Sequence, residues 1–152
     1  MRLDYEWDRP AAEKEFLRAA ELNPSSSWAH HWLAHLRESQ LRLDDAMAEF
    51  RAAIALDPLS EPLKWDLAGD LQIAGRYREA IEMLEQAHEL FPGNAIYQAS
   101  LVRVKLASGD VAGAETTLNL VAASPEGDAE QPGFVPAMRG VIAAKIRTAG
   151  AG

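Results

Sequence analysis

Three residues of this 152-residue chain have the types and spacing for metal chemistry: His31, His35 and Glu38. At i, i+4 and i+7 they share one face of a helix, and two imidazoles with a carboxylate can present three ligands to a divalent cation. The glutamate that directly follows the first histidine in helical zinc peptidases is missing here. Packed or solvated histidines are therefore the expectation, with no metal and no cofactor. Nucleophilic catalysis finds less support. Ser25-Ser26-Ser27 stands just before a helix, where Ser26 or Ser27 is a natural N-cap. No Gly-flanked nucleophile elbow and no phosphate-cradling Gly loop occurs. Asp44-Asp45 and the Glu13/Glu15 pair fall at helix starts and on solvated faces. The chain has no cysteine, which excludes disulfides and thiolate chemistry. The expectation is that the protein is not an enzyme.

Helices must position these side chains. Alanine and leucine are frequent and β-branched residues sparse, a balance that favours helix. The hydrophobic share of 48% and the charged share of 25% are those of a water-soluble protein. A net charge of −8 repels phosphate backbones, so no nucleic-acid partner is expected. The opening Met1-Arg2-Leu3-Asp4-Tyr5-Glu6 has no apolar signal core. No run reaches the roughly 18 apolar residues of a membrane span. A cytoplasmic location without membrane association is expected.

An internal repeat organises the chain. Ala12, Ala46, Ala80 and Ala114 are spaced by 34 residues. The same step links Phe16, Phe50, Leu84 and Leu118, and then Ala19, Ala53, Ala87 and Val121. It links Pro24, Pro58 and Pro92, with Pro125 one residue early. It also links Leu33, Leu67 and Leu101, and beside them Ala34, Ala68 and Val102. A fixed period of this length marks a stacked-repeat architecture. The small columns, Ala34 and Ala68 on one helix and Ala46 and Ala80 on the next, are where two helix axes approach closely. A leucine there would overpack, at a cost of roughly 1–3 kcal/mol. Phe50 and Leu84 are the larger knobs that fill the space between hairpins. Asn23-Pro24 and Asp57-Pro58 end helices, because proline disfavours helix at the preceding residue and has no N–H to donate.

The period and the columns Ala46…Phe50…Ala53…Pro58 and Ala80…Leu84…Ala87…Pro92, each preceded by a Leu-Ala pair, resemble the tetratricopeptide repeat family. Gly75-Arg76-Tyr77 and Gly109-Asp110 stand where that family turns between its two helices. Two features depart from the pattern. His30, Lys64 and Gln98 replace the usual aromatic early in the first helix, and Leu41 replaces one turn glycine. The stretch from Tyr5 to Glu13, with Ala29-His30-His31-Trp32-Leu33-Ala34 and Phe134-Val135-Pro136, is similar to tetratricopeptide arrays of bacterial winged-helix regulators, kinases and cyclases. The resemblance implies an all-α fold, a right-handed superhelical stack of antiparallel helix hairpins. It also implies a sensory or partner-binding arm, either detached or working as a stand-alone adaptor.

The expected map is a single domain, 1–152. It holds a half repeat at about 9–22 and repeats at 27–60, 61–94 and 95–128, the last with an acidic loop. A terminal capping helix follows at 135–148. Helices are expected at about 27–40, 44–56, 61–74, 78–90, 95–108 and 111–123, with a polar loop over 124–133. Ile142, Ala143 and Ile146 match the first-helix pattern of a further hairpin. Phe16, on the opening half repeat, lacks an upstream cover, and three readings stand open: fraying or local cover by Tyr5 and Trp7, self-association through a terminal helix, or a chain that is a fragment of a longer protein.

In the family's arrangement the first helix of each hairpin lines a concave groove. The expected partner-binding residues are Trp28, His31, His35, Glu38, Trp65, Gln72 and Arg103, with Gly69, Ile73, Ala99 and Leu106 beside them. Aromatics dominate binding hot spots, so Trp28 and Trp65 are the expected anchors. Only Arg103 could pair a carboxylate well, so a carboxylate clamp of the chaperone-tail kind is not expected. An extended or helical apolar peptide suits the groove better. The expected function is a protein-interaction adaptor or scaffold with a protein or peptide partner. The rival is a structural module that self-associates, as a homodimer through a terminal helix.

Overall fold

The computed structural model describes residues 9–123 and 132–149, with side chains from Lys14 onward. Among the described residues there are eight α-helices and no strand. They are α1 (Arg9–Leu22), α2 (Ser27–Ser39), α3 (Leu43–Leu56), α4 (Glu61–Ile73), α5 (Tyr77–Leu90), α6 (Ala95–Ser108), α7 (Val111–Ala123) and α8 (Phe134–Ala149). The fold is all-α, as the period requires. Tyr5, Trp7 and most of the expected polar loop lie outside the described residues. No described helix is long and apolar enough to cross a membrane. The chain forms two compact units, Met1–Leu63 and Lys64–Gly152.

In the first unit α2 packs between α1 and α3. Ser26 is its N-cap: the backbone is extended there, and the hydroxyl accepts from the Ala29 N–H at 3.2 Å. That bond satisfies one of the donors a helix start leaves without an internal partner. The α2–α3 hairpin closes on its small column. Ala34 and Ala46 are both 0% exposed where α2 and α3 pack, and neither brings more than a methyl group to the interface. Leu33, Met47, Phe50 and Ala53 are buried around them. Asp44 and Asp45 lie in the first turn of α3, where the helix dipole favours negative charge. His30 occupies a column that the resemblance reserves for an aromatic. Its Nδ1 is 2.7 Å from Glu49 of α3 and its Nε2 is 3.2 Å from the Pro24 carbonyl, so it ties α2 to α3 and to the preceding loop.

In the second unit α6 packs against both α5 and α7, and α8 covers α7 and touches α6. Asn94 caps α6 by accepting from the Ile96 N–H at 3.0 Å, and Asp110 accepts from the Gly113 N–H at 2.9 Å as α7 starts. Val102, Leu106, Ala114, Leu118, Val121, Phe134, Val135 and Ile142 form one buried cluster. Thus α8 seals the apolar side of the α6–α7 hairpin with Phe134, Val135 and Ile142.

Gly75 and Leu41 close the same structure. After α4, Gly75 has φ 72°, its N–H donates to Gln72 O at 3.0 Å, and Arg76 N–H donates to Leu71 O at 2.8 Å. After α2, Leu41 has φ 60°, its N–H donates to Glu38 O at 2.8 Å, and Arg42 N–H donates to Arg37 O at 2.9 Å. Both are Schellman closures, in which the residue after the cap must be left-handed. Leucine pays roughly 1–2 kcal/mol for that conformation, and glycine pays nothing steric. Leu41 is 88% exposed, so its side chain recovers little by packing. Leu41→Gly is expected to raise stability by about 1 kcal/mol and Gly75→Ala to lower it by about as much. Urea midpoints of the two variants moving in opposite directions are the check.

Candidate functional site

Aromatic rings concentrate on α1 and α2. The helical period brings Trp28, His31, Trp32 and His35 to neighbouring positions over two turns. The Phe16 ring of α1 stacks on Trp32 with centroids 5.7 Å apart and planes at 4°. Trp28 stands edge-on to both, at 6.3 Å from Phe16 and 5.8 Å from Trp32. Trp32 in turn meets His31 at 6.2 Å and His35 at 5.9 Å. Beneath the imidazoles lies Phe50 of α3, 5.8 Å from His31 and 5.4 Å from His35. One ladder therefore runs from the buried ring of Phe50 to the outer tryptophans. Trp28 is 58% exposed and Trp32 40%, so the indoles offer apolar area to solvent.

The histidines within this ladder are linked. His35 Nδ1 lies 2.5 Å from Glu38 Oε2, and His35 Nε2 lies 3.0 Å from His31 Nε2. A carboxylate accepts only, so His35 donates through Nδ1 when neutral, and its Nε2 accepts the His31 N–H. The expected face of His31, His35 and Glu38 is thus one hydrogen-bonded row. Chemically it offers two convergent imidazole nitrogens, with Glu38 behind them as an orienting carboxylate.

The residues expected in the second unit are placed differently. Trp65 is 40% exposed and stands edge-on to Tyr97 at 6.0 Å. Tyr97 is buried and stacks on Phe91 at 6.4 Å. Gln72 donates to the Ala68 carbonyl of its own helix at 3.2 Å. The Arg103 guanidinium lies 5.0 Å above the Phe134 ring of α8, so it binds the terminal helix rather than standing apart as a carboxylate receptor. Sequence reasoning missed Trp32, whose stacking on Phe16 joins α1 to the site. Its i+4 spacing from Trp28 was the available signal.

Residues 71–131 match the tetratricopeptide repeat family. The fold is similar to that of MamA, with a TM-score of 0.75 at 17% identity over 94% of this chain and 80% of that one. It is also similar to the Yersinia enterocolitica type III secretion chaperone SycD, solved in complex with a peptide of the translocator YopD. The TM-score there is 0.62 at 24% identity, over 76% of this chain and 91% of that one. A Thermobaculum terrenum O-GlcNAc transferase matches with a TM-score of 0.62 at 25% identity, over 74% of this chain and 22% of the enzyme. No curated protein sequence matches the chain. The likeness establishes an architecture of helix hairpins of the tetratricopeptide type.

The Arg103–Phe134 contact has a measurable consequence. In a double-mutant cycle of Arg103→Ala and Phe134→Leu, a coupling of about 0.5–1 kcal/mol is expected, the size of an exposed cation–π pair. Additive urea midpoints would show that the contact does not hold α8.

Proposed function

We propose that this protein is a non-enzymatic interaction module that holds a partner peptide or helix against the aromatic and histidine face of α2. The observation that carries the reading is the exposure of Trp28 and Trp32 on a ladder anchored by buried Phe50. An isolated exposed indole needs no explanation, but two in edge contact, backed by packed rings, form a rigid apolar platform. Rigid aromatics bind at low entropic cost, because few rotamers are lost. His31, His35 and Glu38 supply polar atoms at the rim of that platform. In the second unit Trp65 is the proposed anchor, with Gln72 and Arg103 as polar neighbours of a partner.

The SycD structure holds a translocator peptide, and a related hairpin architecture suits the same task here. The net charge of −8 favours a neutral or basic partner over a nucleic acid. By its resemblance to the arrays of bacterial regulators, kinases and cyclases, the module is proposed to serve as a regulatory arm of a signalling or transcription system.

The test is affinity capture from lysate of the source organism, with the wild-type chain and Trp28→Ala/Trp32→Ala compared by quantitative mass spectrometry. Helical content should be preserved in both. Hot-spot tryptophans contribute 2 kcal/mol or more, so specific partners should fall by roughly thirtyfold. Leu59→Ala, in an exposed loop position, should leave capture unchanged. Retention of every partner by the double variant would remove the platform as the binding site.

A further inference from the structure

The terminal helix α8 leaves a seat open beside α7. An open pocket of about 330 Å³ lies between them, lined by Glu115, Leu118 and Asn119 of α7 and by Arg139, Ile142, Ala143 and Ile146 of α8. These positions are not arbitrary. Ile142, Ala143 and Ile146 follow Leu101, Val102 and Lys105 by 41 residues, one period plus a seven-residue insertion, while Leu118 and Asn119 follow Leu84 and Glu85 by 34. One hairpin earlier, the same columns of α5 and α6 hold a helix. Lys105 lies 3.5 Å from Glu85 of α5 and donates to Thr117 of α7 at 3.2 Å. The pocket is therefore the repeat's own seat for a second-type helix, and among the described residues no helix fills it.

Burial in the columns agrees. Ala34, Ala68 and Val102 are 0–1% exposed, whereas their counterpart Ala143 is only half-buried. Leu71 is 1% exposed, and its counterpart Ile146 is 52% exposed. A matching deficit appears on α1, which carries second-type columns. Phe50, Leu84 and Leu118 are 0–1% exposed and Ala53, Ala87 and Val121 are 0%, yet Phe16 and Ala19 are only half-buried. The shapes also fit. His31 and His35 flank the Phe50 knob in the first unit, but Gly140 and Ala144 hold those columns on α8. A Cβ built on Gly140 meets nothing within 4 Å, which leaves room for the bulk of a Phe16. Charge does not oppose the fit: α8 has Arg139, Lys145 and Arg147 and no acidic residue, while α1 balances Glu13, Glu15 and Glu21 against Arg9, Lys14 and Arg18.

We infer that α1 of a second copy docks into the α7–α8 seat, so that a complete hairpin forms between molecules. The joint is head-to-tail. Each copy offers two different surfaces, and repetition builds a closed ring or an open filament rather than an isologous dimer. It uses columns that no external partner is needed to fill, and so goes beyond the aromatic platform of α2.

The absence of cysteine permits a direct test. Ala12 and Ala143 occupy the two small columns that meet at a hairpin crossing. Reduced Ala12→Cys and Ala143→Cys variants of the 152-residue chain are exposed to the same oxidant separately and as an equimolar mixture. The inference expects a disulfide-linked dimer of one copy of each in the mixture, at least tenfold above either variant alone. In light scattering, the average mass of the wild type should rise from 16.6 kDa across roughly 10 μM to 1 mM, while Ala143→Arg stays at the monomer mass. Should Ala143→Arg not fold, the cysteine pair still decides. Equal cross-linking of Ala143→Cys with itself would show a symmetric α8 contact and overturn the inference. Mixed cross-linking no greater than that of the exposed α3 control Ala48→Cys, with a constant monomer mass, would overturn it too.

Discussion

Everything in this molecule depends on how closely two helices can approach at the alanine column. In the α2–α3 hairpin Ala34 and Ala46 are both fully buried where the two helices pack, and in the α6–α7 hairpin Val102 and Ala114 share one buried cluster. Because the crossing has no bulk, the neighbouring knobs Phe50 and Leu118 can reach across and fill the space beside it. Interiors are close-packed, so one methyl group at the crossing decides where the larger side chains lie. The turns then follow: a hairpin this tight needs a left-handed residue after its first helix, and the chain supplies one even where leucine must adopt it.

The same constraint sorts the side chains by role. Columns at the crossing are taken by alanine or valine and can do no chemistry. What the crossing leaves unconstrained is the opposite face of the first-type helices. On α2 that face holds two indoles and two imidazoles. Their arrangement is fixed from below by Phe50, itself held by the crossing, so the packing column and the candidate site are linked through one buried ring. On α6 the corresponding face holds Arg103, and there the terminal helix engages it through Phe134.

The fold could be read from the sequence because the period repeats the packing constraint at fixed spacing, and each column states its required volume. The site was legible in part. Trp28, His31, His35 and Glu38 do share a face, because i, i+3 and i+4 spacing on a helix leaves little alternative. Trp32 falls outside the groove columns that the repeat defines, and only its ring neighbours bring it to the candidate site. Its partner Phe16 comes from α1, and tertiary pairing of that kind has no signature in local spacing. Arg103 falls in a first-helix column, but its engagement by Phe134 depends on where α8 returns after a seven-residue insertion in the period. Leu41 was noted as a missing glycine, while the sequence pattern offers no measure of how much strain a compact hairpin will impose on a leucine.

The central claim is that the small column sets the hairpin, and volume added there tests it most directly. Ala46→Leu and Ala80→Leu place a larger side chain at fully buried crossing positions, and Ala48→Leu places the same side chain at an exposed position on α3. Thermal and urea unfolding of the three should show a loss of roughly 1–3 kcal/mol for the two crossing variants and almost none for Ala48→Leu. Crossing variants as stable as the wild type would contradict the account.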